Sequence, residues 1–232
     1  MSLKFAVTAI LIVLLSSRAH ALSSLDFWIP QAKTLAEREI KFDLEQRFTA
    51  DKTAGSYHRG LWGLSYGIWQ WRRLSVEAGL DWCEPGARTT AAALSGHARL
   101  LFNNVQTDGW AVAVGIDQLG FHPGENDYNL NHLVFQNILG DNWEMAFGGW
   151  SGNSTFLRGD DKGMLAGFWR FIQNGHGRMG LEWMSGNSEL GYIVPGIKVE
   201  IRDGVMGQLA YGFANRRNIV KDWLLMRISI LF

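Results

Sequence analysis

Hydrophobic and polar residues alternate along most of this chain with a period of two, which is typical of β-strands that have one apolar face. The clearest example is residues 37–48, where every odd position from Glu37 to Arg47 carries a charge and most even positions are apolar. Connections rich in Gly, Asn and Asp separate such stretches. The pattern predicts an all-β fold with twelve strands at residues 37–48, 61–71, 73–82, 94–102, 110–118, 128–138, 143–148, 164–172, 178–184, 190–201, 205–213 and 223–232.

The last predicted strand indicates what kind of sheet the twelve strands form. Alternate residues from Leu224 to Phe232 are apolar, whereas Arg227 and Ser229 lie on the opposite face. Chain termini tend to fray, so a terminal strand of this kind needs a partner. The stretch from Trp223 to Phe232 resembles the C-terminal signature of Gram-negative outer-membrane β-barrel proteins. This resemblance implies a closed antiparallel transmembrane β-barrel of about 12 strands, closed by pairing of the first and last strands, and recognition of the terminus by the barrel assembly machinery.

The connections between the predicted strands sort by length, as expected when one end of a barrel faces the periplasm and the other faces outward. Those after the second, sixth, eighth and tenth strands are short, whereas those at the other end are mostly long. A soluble β-sandwich, the alternative to a barrel, has no reason to sort its loops in this way. Aromatic residues fall in two belts, with Trp71, Phe102, Trp110, Trp143 and Phe232 at the periplasmic end and Trp62, Trp82, Tyr128, Trp150, Trp183, Phe213 and Trp223 at the outer end.

Residues 1–21 have the features of a secretory signal peptide. Lys4 precedes an apolar run over 5–15, and Ala19-His20-Ala21 is a small-x-small cleavage site. The run is shorter than the roughly 20 residues that a membrane-spanning helix needs. Residues 22–33 contain Pro30 and no clear period, so we expect a lead-in that stays in the periplasm or inserts into the lumen. Residues 34–232 would then form the barrel, located in the bacterial outer membrane.

Composition narrows the possible partners. Without Lys4 and Arg18 of the signal peptide, 20 basic residues stand against 22 acidic ones, which is not the footprint of a nucleic-acid-binding protein. The single cysteine, Cys83, excludes an internal disulfide. The chain has 27 Gly and only 4 Pro, and glycine relieves crowding where strands bend. Its 11 Trp suit a surface that is apolar on one side and in contact with water on the other. We expect a monomer in contact with the lipid bilayer and lipopolysaccharide.

If the apolar face of each strand meets lipid, the charged faces line the lumen. Acidic and basic residues there are nearly balanced, which argues against strong ion selectivity. Twelve strands lie between barrels filled by side chains and barrels with an open aqueous channel. The lumen is therefore either closed by ion pairs or a narrow polar pore. The predicted lining is Glu37, Glu39, Lys41, Asp43, Glu45, Arg47, Arg73, Glu77, Asp81, His97, Arg99, Asp117, Glu144, Arg170, Arg178, Glu182, Lys198, Glu200 and Arg227.

The strand over 128–138 is ambiguous. Either Asn129, Asn131 and Asn137 point into the lumen or His132 and Gln136 do. The first alternative leaves the cleaner lipid-facing surface, but the sequence does not exclude the second.

Few residues suggest catalysis or metal binding. Ser95 and His97 share a face, with Glu77 or Asp81 on the neighbouring strand, and such a set is the core of a serine hydrolase. The pair would point into the lumen, so a lumen hydrogen bond is the favoured interpretation. Charged residues of two outer loops lack calcium-loop spacing, and solvated charge is favoured over a cation site at His122, Glu125, Asp127, Asp160 and Asp161. We expect no cofactor and no metal.

The Asn-Gly and Asp-Gly hairpins and the region from Pro195 to Asn215 resemble an outer-membrane transporter family linked to aromatic-compound degradation. No site motif of that family is present, so no functional residues carry over. The resulting hypothesis is a narrow, porin-like channel or transporter for small solutes in the cell envelope. The alternatives are a closed barrel that acts in structure, adhesion or reception through its outer loops and, third, a lipid-modifying hydrolase.

Overall fold

The computed structural model describes residues 27–49, 58–83, 93–121, 129–157, 159–218 and 220–232. The expectations for residues 1–21 and for His122, Glu125, Asp127 and Tyr128 lie outside these ranges. Twelve antiparallel strands form one closed barrel in which each strand pairs with its neighbours in sequence. The first and last strands pair in register, with Leu44 opposite Ile228 and Glu45 opposite Arg227. The closed antiparallel barrel predicted from the sequence is therefore confirmed.

The strands are β1 Ile40–Thr49, β2 His58–Trp71, β3 Leu74–Cys83, β4 Ala93–Phe102, β5 Trp110–Gly120, β6 Leu130–Leu139, β7 Trp143–Ser151, β8 Lys162–Ile172, β9 Gly177–Met184, β10 Tyr192–Arg202, β11 Val205–Ala214 and β12 Trp223–Leu231. Two short helices, α1 Val105–Asp108 and α2 Ser154–Leu157, and a 3-10 turn over Gln173–Gly175 lie in the connections. Among the residues described, no helix has the length and apolar character needed to cross a membrane.

Short turns join the strands at the end where β1 begins and β12 ends, as at residues 72–73, 140–142 and 203–204. In outer-membrane barrels this is the periplasmic end, and we name the two ends accordingly. The exterior is apolar, since Leu64, Leu133 and Met164 expose 50%, 56% and 63% of their surface. A closed barrel with such an exterior is a membrane-spanning wall.

Two outer-belt aromatics face the other way. Trp150 and Trp223 are each only 4% exposed and belong to the buried cluster inside the barrel, so the prediction that they form part of the outer aromatic belt at the lipid–water interface is wrong. Trp223 lies with its ring centroid 5.0 Å from that of Trp28. Both rings face inward, where they pack within the buried hydrophobic cluster of the lumen.

The first strand begins later than predicted. β1 starts at Ile40, and Glu37 and Arg38 form an exposed turn at the periplasmic rim, where Arg38 has φ 71°. Glu39 lies in the same connection, and its carboxylate accepts a hydrogen bond from the Ala36 N–H at 2.7 Å. Arg73 is exposed in the β2–β3 turn. The prediction that Glu37 and Arg73 line the lumen is wrong, because strand parity does not extend into a turn.

Strand β8 has the opposite parity to the prediction. Trp169 and Leu165 are buried inside, at 0% and 1% exposed, whereas Arg170 is exposed on the outside. The guanidinium of Arg170 lies 5.5 Å from the Trp143 ring, a geometry suited to a membrane interface. Trp169 turns inward because its Nε1–H donates to Glu182 at 3.1 Å. The prediction of Arg170 in the lumen is therefore wrong.

Strand β6 adopts the second of its two alternatives. His132 and Gln136 are buried at 3% and 0% exposed, whereas Asn131 is exposed. The alternative with the cleaner lipid-facing surface is wrong. Gln136 points inward because its side chain bonds to groups inside the barrel, where an unpaired polar atom would be costly.

Candidate functional site

The chain before β1 lies inside the barrel. Residues 27–36, here called the lumen segment, run from the outer end to the periplasmic end. At the outer end the Trp28 Nε1–H donates to the Leu190 carbonyl at 2.9 Å. At the periplasmic end the Arg38 N–H donates to the Gly67 carbonyl at 2.8 Å. Phe27, Ile29 and Leu35 are at most 1% exposed, so the segment fills the part of the lumen it crosses.

One wall carboxylate anchors the upper part of the lumen segment. Glu182 of β9 accepts the backbone N–H groups of Phe27 at 3.1 Å, Ile29 at 2.7 Å and also Trp28. The indole N–H of Trp169 is its fourth donor. Outside the single β-bridge at Pro30 the segment has no strand pairing, so its buried N–H groups must be satisfied by side chains, and Glu182 satisfies three in succession.

The middle of the lumen segment is held by side chains of β6, β7 and β9. The Ala32 N–H donates to Gln136 Oε1 at 2.7 Å. Lys33 Nζ lies 2.8 Å from a carboxylate oxygen of Glu144, and Arg178 lies 2.8 Å from the other. Gln136 also donates to Glu144. Glu144 thus balances one cation from the segment and one from the wall.

Small wall residues make room for the segment. A Cβ atom on Gly196 of β10 would lie 2.7 Å from the Phe27 ring, and one on Gly67 of β2 would lie 1.8 Å from the Ala36 carbonyl oxygen. Distances below about 3 Å require the neighbour to move. The wall is therefore shaped for this segment at both of its ends.

Aromatic rings close the outer end beside the segment. The Trp28 ring packs edge-on against Tyr192, with centroids 5.2 Å apart, and lies against Trp223. The Arg47 guanidinium lies 4.7 Å from the centre of the Trp28 ring. We call the wall from β6 to β10, with the lumen segment against it, the segment-filled half of the lumen.

The wall from β12 through β1 to β5 is the ion-paired half. Here wall carboxylates pair with wall cations. Arg227 donates to Glu45 at 3.0 Å across the closing strands, and Arg47 lies 2.5 Å from the same carboxylate. Lys41 lies 2.8 Å from Asp43, which also accepts a hydrogen bond from Ser229. The contacts of Arg227 with Glu45 and of Ser229 with Asp43 join the first and last strands inside the lumen, as the backbone joins them in the wall.

Arg99 connects the ion-paired half with the periplasmic end of the lumen segment. Its guanidinium lies 3.2 Å from Asp117 and 3.9 Å from Glu77. Glu77 in turn accepts the Leu35 N–H at 2.8 Å. His132 lies 3.2 Å from Asp117 on the neighbouring strand. The two halves therefore meet at Glu77.

A serine, a histidine and an aspartate form a hydrogen-bonded chain in the ion-paired half. Ser65 Oγ lies 3.1 Å from His97 Nε2, and His97 Nδ1 lies 2.8 Å from Asp81 Oδ2. The Ser95–His97 pair considered as a hydrolase core does not form; the Ser95 hydroxyl instead donates to the Asp81 carbonyl at 3.5 Å, a hydrogen bond inside the lumen as the favoured interpretation expected. The sequence does not indicate the contact between Ser65 and His97, because the two residues are 32 positions apart and Ser65 lies in no recognisable motif.

The remaining predicted lining residues occupy inward positions of varied depth. Lys198 of β10 is fully buried, and Glu200 at the periplasmic end accepts from His176 at 2.6 Å. The sequence did not identify Lys33 as a lumen residue, because the direction of a side chain cannot be predicted in a segment without hydrophobic periodicity. Within the described ranges no cluster of His, Cys, Asp or Glu is arranged to hold a metal ion.

A cavity of about 520 Å³ opens at the periplasmic end. It is lined by charged, amide and hydroxyl side chains and by the three leucines Leu35, Leu74 and Leu101, and the exposed Arg73 of the β2–β3 turn borders it. Leu35 of the lumen segment is buried at the inner side of this cavity. The lumen segment therefore forms the inner end of this periplasmic cavity.

The closed barrel, its apolar exterior and its charged interior define an outer-membrane β-barrel, as the sequence predicted. The chain is similar to an outer-membrane channel from Pseudomonas putida F1, with 13% identity over 86% of this chain and 97% of that chain and a TM-score of 0.53.

Two further solved structures are similar. The Escherichia coli outer membrane phospholipase A shares 11% identity, covering 82% of this chain and 92% of its own, with a TM-score of 0.47. OprB from Pseudomonas putida shares 9% over 84% and 92%, with a TM-score of 0.43. No family model and no curated protein sequence matches the chain. Identities this low show the fold alone, so the resemblance to the aromatic-degradation transporters stays a prediction.

Proposed function

We propose that this protein is an outer-membrane channel for small polar solutes and that the lumen segment closes it in the conformation described here. The observation that carries the proposal is that the barrel closes through β1 and β12 without any strand from the segment. The segment is held instead by lumen side chains such as Glu182 and Glu144. Its withdrawal would therefore open the lumen and leave the wall intact.

The proposed route follows the ion-paired half. Side chains there retain contact with solvent, with exposed fractions of 13% for Asp43, 18% for Asp81 and 10% for Asp117. The periplasmic cavity lies at the other end of this half, beyond Glu77 and Leu35. Charges of both signs line the route, so we expect small polar solutes and weak ion selectivity.

We further propose how the protein is exported, assembled and placed in the cell envelope. Residues 1–21 would direct export, and the terminus from Trp223 to Phe232 would engage the assembly machinery. We expect a monomer whose apolar belt meets the bilayer and the lipid portion of lipopolysaccharide. No nucleic acid and no cofactor takes part in this function.

A closed barrel that acts through its outer loops is the second candidate function. The filling of the lumen favours it, because side chains as large as Trp169, Arg178 and Phe27 are fully buried there. A barrel stabilised by such packing needs no pore in order to present loops outside. The two functions differ in what remains once the lumen segment is removed.

Planar-bilayer conductance separates the two candidates. The refolded chain is compared with a variant that lacks residues 22–36, and folding of both is checked by the shift of their electrophoretic mobility on heating. We expect brief, rare openings of the complete barrel and a larger, sustained current through the shortened one. Absence of ion current through the folded shortened barrel at any voltage would overturn the channel proposal in favour of the closed barrel.

A further inference from the structure

We propose that Ser65 is the nucleophile of an acyl-transfer site inside the barrel, with His97 as its general base and Asp81 as the group that orients the imidazole. The substrates would be small carboxylic esters that reach the ion-paired half of the lumen. This inference goes beyond the proposed channel and does not depend on whether the barrel conducts ions.

The three side chains have the contacts that this chemistry requires. Both hydrogen bonds of His97 lie within the reach expected of nucleophile, base and orienting carboxylate, at 3.1 Å to Ser65 and 2.8 Å to Asp81. They use opposite ring nitrogens. In the Nδ1-protonated tautomer Asp81 accepts the Nδ1 proton, and the Nε2 lone pair accepts the hydroxyl proton of Ser65. These are the roles found in serine hydrolases of unrelated folds.

The wall is built to allow this contact across a strand. Ser65 on β2 pairs with Gly79 on β3, and Gly79 pairs with His97 on β4. A Cβ atom on Gly79 would lie 2.5 Å from His97 Nε2, so only glycine lets the imidazole cross β3 to the serine. A Cβ atom on Gly63 would likewise lie 2.8 Å from an Asp81 carboxylate oxygen. Two glycines thus clear space for the base and for its orienting group.

The surroundings favour small substrates and stabilise negative charge. Ser65 is only 2% exposed, whereas the Asp81 side chain is 18% exposed, so the chain of hydrogen bonds begins near solvent and ends at a confined hydroxyl. Lys41 on β1 stands directly opposite Ser65 in the register and faces the same lumen. Lys41, whose Nζ lies 2.8 Å from Asp43, would supply positive charge on this side of the lumen for the oxyanion that forms when the hydroxyl attacks an ester.

The proposed reaction is ester hydrolysis in two steps. Ser65 Oγ forms a bond to the carbonyl carbon while His97 Nε2 takes the hydroxyl proton, and the carbon–alkoxide bond then breaks. His97 returns the proton to the alkoxide, which leaves as the alcohol. A water molecule next attacks the acyl group with His97 again as base, releases the carboxylic acid and restores the Ser65 hydroxyl.

Covalent labelling tests the nucleophile directly. The folded, full-length barrel in detergent is treated with a small dialkyl fluorophosphate, whose phosphorus is attacked by an activated serine with loss of fluoride. We expect one adduct on Ser65 by peptide mass spectrometry, none after unfolding in urea, and none in Ser65→Ala. Ser95→Ala is the matched control, since Ser95 faces the same lumen without touching His97, and it should label normally.

Absence of an adduct on the folded wild-type barrel overturns the proposal, as does equal labelling of Ser65→Ala. Hydrolysis of 4-nitrophenyl acetate provides a second measurement that does not rely on one variant. We expect kcat/KM to fall by about 10²-fold or more in both Ser65→Ala and His97→Gln, and less in Asp81→Asn. Heat-dependent electrophoretic mobility confirms that each variant is folded. Unchanged hydrolysis by folded His97→Gln contradicts a catalytic role for the imidazole.

Discussion

The two halves of the lumen use their carboxylates differently. In the segment-filled half, Glu182 accepts backbone N–H groups of an extended chain, whereas in the ion-paired half Glu45 and Asp117 accept from arginines of the wall. Both solutions satisfy buried charge. Only the first can be undone by moving a piece of chain, because the partners in the second are all fixed to the sheet.

Both halves combine short and long inward residues. In the segment-filled half Ala146 and Val194 are buried and Gly196 lies against Phe27, while the long side chains of Arg178 and Lys198 are buried there as well. In the ion-paired half Lys41, Arg99 and Arg227 pair with carboxylates of the same or the neighbouring strand. The two halves therefore differ in what their side chains contact and not in the size of those side chains.

Replacement of Glu182 by Gln should have the largest effect on stability. We expect the free energy of unfolding to fall by about 3–5 kcal/mol, because the amide loses the charge and faces donors with its own NH₂ group. The measurement is unfolding in urea of barrels in lipid vesicles, followed by tryptophan fluorescence. Glu200→Gln at the partly exposed periplasmic end is the control and should cost about 0.5 kcal/mol. Equal losses in the two variants would contradict the anchoring role of Glu182.

An added methyl group at Gly196 should have an intermediate effect. Its Cβ atom would lie 2.7 Å from the Phe27 ring, so we expect Gly196→Ala to cost about 1–3 kcal/mol through overpacking. Gly149→Ala is the control, since the nearest atom to its Cβ would be 3.6 Å away. In the variant that lacks residues 22–36 the cost at Gly196 should vanish, which the same urea unfolding measures. A cost that persists there would show that Phe27 is not its cause.

Asp43→Asn should have the smallest effect and the strongest dependence on salt. Asp43 lies 2.8 Å from Lys41 with 13% of its side chain exposed, so we expect a cost of about 1 kcal/mol at low ionic strength. At 1 M salt the Debye length is about 3 Å and this cost should shrink. The cost of Glu182→Gln should not change with salt. Equal salt dependence of the two variants would remove the distinction between the two halves.

Much of the wall could be predicted from the sequence, since a strand that meets lipid must place its apolar residues on one face. In β1 and β12 one face is almost entirely apolar, and Glu45 does stand opposite Arg227. Alternation does not determine the facing of a strand when both of its faces contain polar or aromatic residues. In β8 the sequence is compatible with Trp169 inside and Arg170 outside, and also with the reverse. The hydrogen bond from Trp169 to the Glu182 carboxylate on the next strand favours the first arrangement.

The serine–histidine–aspartate chain shows the same limit within the candidate site. Alternation indicates that Ser65, Asp81 and His97 face the lumen, but it does not indicate which serine meets the imidazole. Ser95 is nearer in sequence, and Ser65 is nearer in space because Gly79 leaves the intervening strand bare. The alternation within a strand fixes which face its residues occupy, whereas the residue that each one meets on a neighbouring strand also depends on the turns and bulges of the assembled sheet.

By itself, the sequence determined that this chain forms a closed antiparallel barrel with a lipid-facing exterior and a charged interior, because the period of two is local and most positions that face lipid must be apolar. The tertiary structure decided how the interior is filled. Residues 27–36 carry no period, and their N–H groups meet Glu182 more than 150 positions away. Such contacts follow from the shape and the unsatisfied donors of the closed lumen, which exist only after the barrel has formed.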